Sequence, residues 1–590
     1  MFSLLIQQLN NFMMFHSNRS FVCSSITVAK FNPICTLGMN FVDSSAAISS
    51  THPVAYFCAE FGFDPNLPIY AGGLGILAGD TLKQAAESSF PMIGVGLLYR
   101  GYSMRQKITA EGDQYDEDWL FDPKSAGLDN VYVDDMPLFI KVHLTEIDIW
   151  LRCWKKTFDN GVVLYLLDSE TDQNQLPERS ITQILYSGTQ EAQLKQQLLL
   201  GIGGIKLLTA LGIHPSLYHI NEGRPAFLHW QLIRELMDTH RVTYESAREL
   251  AIEKTVYTNH TLVDAGNQGY PMDLLKMYSK YYANKMGITV EELLKAGIDV
   301  DPAIFAITRF ALNVSRKASG VSQLHTKLSE EYWPRYHWTN VTNGVHFKTW
   351  QSPLLTQTTV DSPSNLWQAH ASEKENLLHF VQAQTGFGYD PNRFVIAWAR
   401  RIAGYKQLNV VFEDVERLRR LLKDKDRPAQ LLIAGKAHQG DPIGKKLLKD
   451  IIGYMQRELS GNALFIPNYN IAVTQNLVRG SDLWLNTPQL GKEACGTSGM
   501  KAIANGVLQC TVPDGWAAEV KWDDLGWILP PKDISLALFN LLETEIVPMY
   551  YDRQNGLPTK WLERMKKSIE LAQQFSADRM LKEYQEKLYQ

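Results

Sequence analysis

No stretch of the 590-residue chain approaches the ~20 consecutive apolar residues that a membrane-spanning helix needs. Cysteine is scarce. There are six (Cys23, Cys35, Cys58, Cys153, Cys495 and Cys510) and no C-x-x-C pair, which argues against a disulfide scaffold and a zinc cluster and fits a reducing, cytoplasmic compartment. No metal site is expected. Charge of one sign is not in excess either: the formal net charge is −5, so neither nucleic acid nor an anionic membrane is indicated as a partner. Repeats at solenoid periods and low-complexity blocks are missing. Residues 1–50 lack a basic leader and carry only Arg19 and Lys30 as cations. They read as a poorly ordered tail, or as a start placed upstream of Met39.

The pattern that is present is an α/β one. HPVAYFCAEF opens it as a short buried strand, followed by YAGGLGILAGDTLKQAAE, a glycine-rich turn leading into a helix. GVVLYLLD, SLYHIN and KTVYTNH are further strands, and LKQQLLLGIGGIKLLTALG is helical. Residues 351–390 show no strand and read as a connecting region. Beyond them the alternation restarts: RFVIAWARR, QLLIAGKA, NALFIPNY, DLWLNT and NGVLQCTV as strands, with helices between. The expected organisation is an N-terminal α/β domain at 51–350, the connector at 351–390, a C-terminal domain at 391–555 and an amphipathic helix at 556–590. Ligands in such folds bind beyond the carboxyl ends of strands, at a cleft between halves.

Four segments could carry chemistry. The first is Glu493-Ala-Cys-Gly-Thr-Ser-Gly-Met-Lys501. Its glycine-rich turn offers backbone N–H groups to an anion, and the helix expected from Met500 to Ala504 places Lys501 in a first turn, where the positive dipole end, together with apolar neighbours, would lower its amine pKa and favour attack on a carbonyl. It is not a Walker A loop, because the G-K-[ST] ending is missing. The second is Arg400-Arg401-Ile-Ala-Gly-Tyr-Lys406, directly after a buried strand. Three cations within seven residues suit phosphate oxygens. The third, Ala71-Gly72-Gly73-Leu-Gly75, lets backbone approach a ligand, although a tight structural turn explains it equally well. The fourth comprises Tyr257-Thr-Asn-His260-Thr and His219-Ile-Asn-Glu222-Gly-Arg224, whose polar side chains could hydrogen-bond sugar hydroxyls or could be structural.

Taken in order, the strings AYFCAEFGF, YAGGLGILAGD, HINEG, YTNHT, GVSQLH, TNGVH, RRIAGYK, GKA, NTP, EACGTSGMKAIANG and DGW resemble the glycogen/maltodextrin (α-glucan) phosphorylase family, its short bacterial type above all. The resemblance spans about residues 53–550. It implies two Rossmann-like domains facing a central cleft and a pyridoxal 5'-phosphate joined covalently to Lys501. It also implies phosphorolysis of terminal α-1,4-linked glucose by inorganic phosphate, giving α-glucose 1-phosphate. Arg401 and Lys406 match cations that bind the substrate phosphate, and Arg400 a basic residue at the cofactor phosphate. Tyr469, Thr497, Ser498 and Gly73 match positions around the cofactor. Gly72 and Gly73 match amides facing the transferred phosphate. His260 and Glu493 match residues at the glucosyl unit, with Cys495 and Gly496 beside them in the substrate set. A homodimer is expected from the family.

Two departures stand near the expected sugar site: Arg224 where short members carry His, and Ser319 where they carry Asn. They keep open a relative that binds without turnover. A nucleotide-sugar glycosyltransferase on the same architecture is the other alternative, disfavoured because such enzymes tend to place a carboxylate where Lys501 stands.

Overall fold

The apolar run Val54–Cys58 is buried on both faces and forms β1, as a strand flanked by other strands and covered by helices must. The computed structural model that shows this describes residues 47–590, apart from 103, 187 and 263–266. The reading of 1–50 therefore lies, up to residue 46, outside the described residues.

The chain is mixed α/β with two largely parallel sheets. β1 is followed by helix α1 (Gly73–Glu87), β2 (Met92–Leu97), a hairpin of β3 (Arg105–Ile108) and β4 (Gln114–Glu117), then β5 (Ile147–Thr157) and β6 (Val163–Asp168). Helix α2 (Gln190–Ala210) leads to β7 (Leu217–Asn221), β8 (Thr255–Thr258), β9 (Lys317–Gly320) and β10 (Trp338–Asn340). The first sheet runs β10-β9-β8-β7-β1-β2-β6-β5 and ends on Asp129–Asn130. Pairs from β10 to β6 are parallel, in registers such as Val54↔Leu217 and Tyr56↔Gly94. Beyond β6 the sheet turns antiparallel through β5 and Phe139–Leu144. The sequence pattern does not mark these strands, because their half-exposed alternation lacks a continuous apolar run.

The residues 363–385 of the expected connector form one long helix, α3 (Pro363–Thr385), started by Ser362, whose side chain accepts from Asn365 N. The second sheet follows, six strands in the order β13-β12-β11-β14-β15-β16, all parallel: β11 (Phe394–Ala399), β12 (Ala429–Ala434), β13 (Ala463–Ile466), β14 (Leu483–Asn486), β15 (Leu508–Thr511) and β16 (Trp527–Ile528). Strand order reverses between β11 and β14, so the crevice beyond their carboxyl ends is the natural ligand position. Among the described residues no helix is long and apolar enough to cross a membrane.

After the short helix α4 (Thr497–Ile503) between β14 and β15, the C-terminal segment is two helices, α5 (Thr559–Ala572) and α6 (Ala577–Glu583), broken at Gln573–Phe575 and recapped by Ser576. The chain then returns to the first sheet. Tyr584 and Tyr589 lie edge-on to His219, and Tyr589 Oη is 3.0 Å from His219 Nδ1. A mixed cluster of Ile76, Val321, Trp350, Ile471, Met500 and Trp516 fills the seam between the two sheets.

Candidate active site at the seam

The segment from Glu493 to Lys501 lies between β14 and β15. Gly496, at φ +84°, precedes helix α4, so the helix starts earlier than the sequence implied. A side chain there would be forced into the left-handed region, which only glycine enters freely. Thr497 and Ser498 occupy the first turn, half-buried, and Lys501 falls in the last. This corrects one half of the expectation: the positive helix end does not act on the Lys501 amine, and the apolar surroundings do. The cause is burial: the residue is 5% exposed, and desolvation takes its amine down to about 8, with Asp80 opposing and Lys83 assisting. The ammonium nitrogen lies 3.8 Å from the Trp350 ring centroid, and Trp350 Nε1 donates to Asp80 at 2.8 Å. Among the described residues the Lys501 amine makes no hydrogen bond or ion pair. Trp350 gave no signal in the sequence; it arrives from beyond β10.

The cation cluster forms at the carboxyl end of β11. Arg400 donates to Glu493 Oε2 at 2.8 Å, and Lys406 pairs with the same carboxylate. Arg400 also bonds Asn486 at the end of β14. Burial would raise the Glu493 carboxyl, but Arg400 and Lys406 outweigh it and hold the group at about 2. Burial, then Arg400, lower the Lys406 ammonium below its ordinary value. Arg401 is exposed on the cleft and donates to Tyr405 Oη at 3.1 Å. Three cations thus face one carboxylate, and the surplus positive charge suits an added anion. Tyr469 donates to Ala399 O at 3.3 Å, one residue before Arg400. Cys495 is buried, with burial pushing its thiol up, and its carbonyl accepts from Trp516 N at 3.0 Å.

The glycine loop is held by an acid that the sequence pattern does not mark as functional. Glu60, just past β1, accepts from Ala71 N at 2.5 Å and Gly72 N at 3.1 Å, and from Tyr186 Oη at 2.7 Å. With these amides spoken for, the free ones begin at Gly73, the start of α1. A Cβ added at Gly72 or Gly73 would meet no atom within 4 Å, so the loop borders open space. Its signal was a lone acid in an apolar run.

His260 belongs to the crevice of the first sheet. Its Nε2 is 2.6 Å from Asn221 Oδ1, and burial drops the imidazole to about 3, so it is neutral. The main-chain N–H of His260 donates to Glu222 Oε2 at 2.9 Å. Glu222 sits at φ +67° with burial raising its carboxyl to about 7, a strained and shifted acid of the kind found in functional clefts. Among the described residues no hydrogen bond or ion pair joins His260 to the cation cluster; Ser322 Oγ, just past β9, donates to Ala494 O at 2.6 Å, beside Glu493.

Residues 355–524 match the model of a family described as carbohydrate phosphorylase. A maltodextrin phosphorylase from Thermococcus litoralis is 33% identical over 91% of this chain and 70% of its own. A glycogen phosphorylase from Aquifex aeolicus is 31% identical over 95% of this chain and 90% of its own. The chain belongs to the carbohydrate phosphorylase family. A third relative, a glycogen phosphorylase from Mycobacterium tuberculosis, is 32% identical over 91% of this chain and 70% of its own.

In this phosphorylase both departures are engaged internally. Arg224 stacks on Tyr186 with its guanidinium 4.3 Å from the ring centroid and donates to Gln193 at 3.3 Å. Ser319 is fully buried, its hydroxyl 2.8 Å from Thr258 Oγ1.

Proposed function

We propose that this protein is an α-glucan phosphorylase that uses inorganic phosphate to release terminal α-1,4-linked glucose as α-glucose 1-phosphate. The observation that carries the reading is that the Glu493–Lys501 segment bears at one end the carboxylate gripped by Arg400 and Lys406 and at the other a buried amine with no hydrogen bond or ion pair among the described residues. That arrangement fits pyridoxal 5'-phosphate. A buried amine held at about 8 reacts readily with an aldehyde, and the loop and cations suit a phosphate beside it. When bound, the cofactor supplies a phosphate group able to exchange a proton with the substrate phosphate.

The remaining work falls to the chain. Arg401 and Lys406 would hold the attacking phosphate, and Arg400 the cofactor phosphate, with Tyr469, Thr497 and Ser498 alongside. Two phosphates side by side repel, so the surplus cations are what permits both in one cleft. The glycosidic C1–O bond breaks as a phosphate oxygen bonds C1, and the proton carried by phosphate goes to the departing O4. The amide at Gly73 would face the transferred group, with Gly72, whose own N–H is held by Glu60, leaving the approach open, and His260, Glu493, Cys495 and Gly496 would face the glucosyl unit. No enzyme carboxylate acts as nucleophile, so paired-carboxylate geometry is not required.

The strand orders support two Rossmann-like halves, 51–350 and 391–555, facing a cleft, joined through 351–390 and closed by 556–590. We place the protein in the cytoplasm as a homodimer, acting on glycogen or maltodextrin without nucleic acid or membrane. Borohydride reduction followed by peptide mass spectrometry tests the cofactor: a pyridoxyl adduct on Lys501 is expected, and its absence from cofactor-supplemented protein refutes the reading. Lys501→Ala should abolish glucose 1-phosphate release from maltodextrin and phosphate.

A further inference from the structure

The hairpin β3–β4 supplies no residue to the cation cluster, yet it grips the turns that support it. Side chains alternate across it as the pleat requires. Gln106, Ile108, Gln114 and Asp116 face the second sheet, while Lys107, Tyr115 and Glu117 are exposed. Gln106 Nε2 donates to Gly435 O at 2.8 Å, and its Oε1 accepts from Asn468 N at 2.9 Å. Gln114 Nε2 donates to Ala437 O at 2.9 Å, and its Oε1 accepts from Ala437 N at 3.0 Å. Asp116 pairs with Lys436 at 3.0 Å. Gln106 and Gln114 are 1% and 7% exposed, so water does not compete for these bonds. A side-chain amide is a peptide group in miniature. Each glutamine pairs with main chain beyond the carboxyl ends of β12 and β13, where a further strand would otherwise do so.

Two rails lead from those turns to the cations. Along the first, Arg400 N donates to Ala434 O at 3.2 Å and Ile402 N to Lys436 O at 3.0 Å. The approach is close enough that a Cβ on Gly435 would stand 2.2 Å from Arg400 O. Along the second, Tyr469, the neighbour of Asn468, donates to Ala399 O at 3.3 Å. Both rails converge on residues 399–402.

We propose that Gln106 and Gln114 are positioning residues: the hairpin of the first half straps the Gly435–Ala437 turn and Asn468, and so holds the main chain that aims Arg400 and Arg401. This rests on the reading of those cations as the phosphate site. If the strap is released, residues 399–406 loosen and phosphate binding weakens, while the α4 segment around Lys501 keeps its order.

The test uses the full-length, cofactor-loaded protein and three variants: Gln106→Leu, Gln114→Leu, and Lys449→Ala, which removes only the exposed 2.7 Å pair with Asp113 at the hairpin tip. Hydrogen exchange is followed over peptides covering 399–406 and 496–506 without added anion. Inorganic phosphate affinity is measured by calorimetry, and KM for phosphate and for maltodextrin by turnover. Either glutamine variant should exchange faster over 399–406 alone and lose about tenfold in phosphate affinity, as the loss of one buried hydrogen bond implies. Maltodextrin KM should stay unchanged, and Lys449→Ala should match the parent. Unaltered exchange over 399–406 in a folded glutamine variant, or equal acceleration in 496–506, overturns the strap. Where a leucine variant does not fold, Gln114→Glu keeps the acceptor, removes the donor and gives the same comparison. A parent that binds no phosphate defeats the phosphorylase reading instead; exchange over 399–406, read without anion, still decides the strap.

Discussion

Replacing Lys501 by methionine should make the cofactor-free protein more stable at neutral pH, while on the function proposed above it should abolish glucose 1-phosphate release. Burial, with Lys83 adding and Asp80 offsetting part of the effect, takes the amine from its usual 10.5 to about 8. A tenfold change in ionisation is worth about 1.4 kcal/mol, so keeping the protonated amine inside the fold costs about 3 kcal/mol. The folded-state value lies below the unfolded one, which fixes the sign. Below pH 8 the amine is protonated in both states and the full cost stands. Between about 8 and 10.5 the unfolded chain holds more protons, so stability from this group rises with pH. Above that window the cost is gone. Methionine fills the same space beside Trp350 without a charge, so the variant should gain up to about 3 kcal/mol at pH 7, or about 3 °C in Tm for a chain of this size. The gain should shrink to nothing above pH 10.5. Calorimetry of cofactor-free parent and variant across pH 7–10 reads both the gap and its slope. Coincident melting at pH 7, or a gap that widens as pH rises, would refute the reasoning. The burial that costs this stability is the same burial on which the proposed role of Lys501 depends.

Two further outcomes follow from individual contacts. Asp482 is fully buried between His370 at 2.7 Å and Lys374 at 2.6 Å; burial would raise its carboxyl, but Lys374 and His370 more than offset this and hold it below the ordinary range. Its contribution is present above the usual carboxylate value and lost as pH falls through the lowered one; Lys374→Met should cost about 3–5 kcal/mol and move the acid-unfolding midpoint to higher pH, seen by circular dichroism. Glu60→Gln leaves one oxygen where Ala71 N, Gly72 N and Tyr186 Oη now share two; KM for phosphate should rise about tenfold with KM for maltodextrin unchanged, and equal changes in both would count against the loop-holding role.

What the sequence determined by itself was whatever is written in local pattern. Continuous apolar runs announced most of the buried parallel strands, since a strand covered on both faces has few polar positions. The order of short motifs announced the family, and the Arg400/Arg401/Lys406 cluster could be placed because cations at a strand's end need no partner from elsewhere to be noticed. Patterns with weaker contrast did not announce themselves: the antiparallel strands around Ile147–Thr157, half exposed, were passed over. Tertiary structure alone decided the rest, because burial and pairing are properties of neighbours far apart in the chain. Trp350 and Asp80 meet Lys501 only across the seam, and it is burial there, with Asp80 working against it, that lowers its amine. Arg224 and Ser319 stood out as departures in the sequence, yet the fold engages both in internal contacts. Gln106 and Gln114 looked like ordinary polar residues of a surface hairpin; only the facing main chain of Gly435, Ala437 and Asn468 shows what their amides hold.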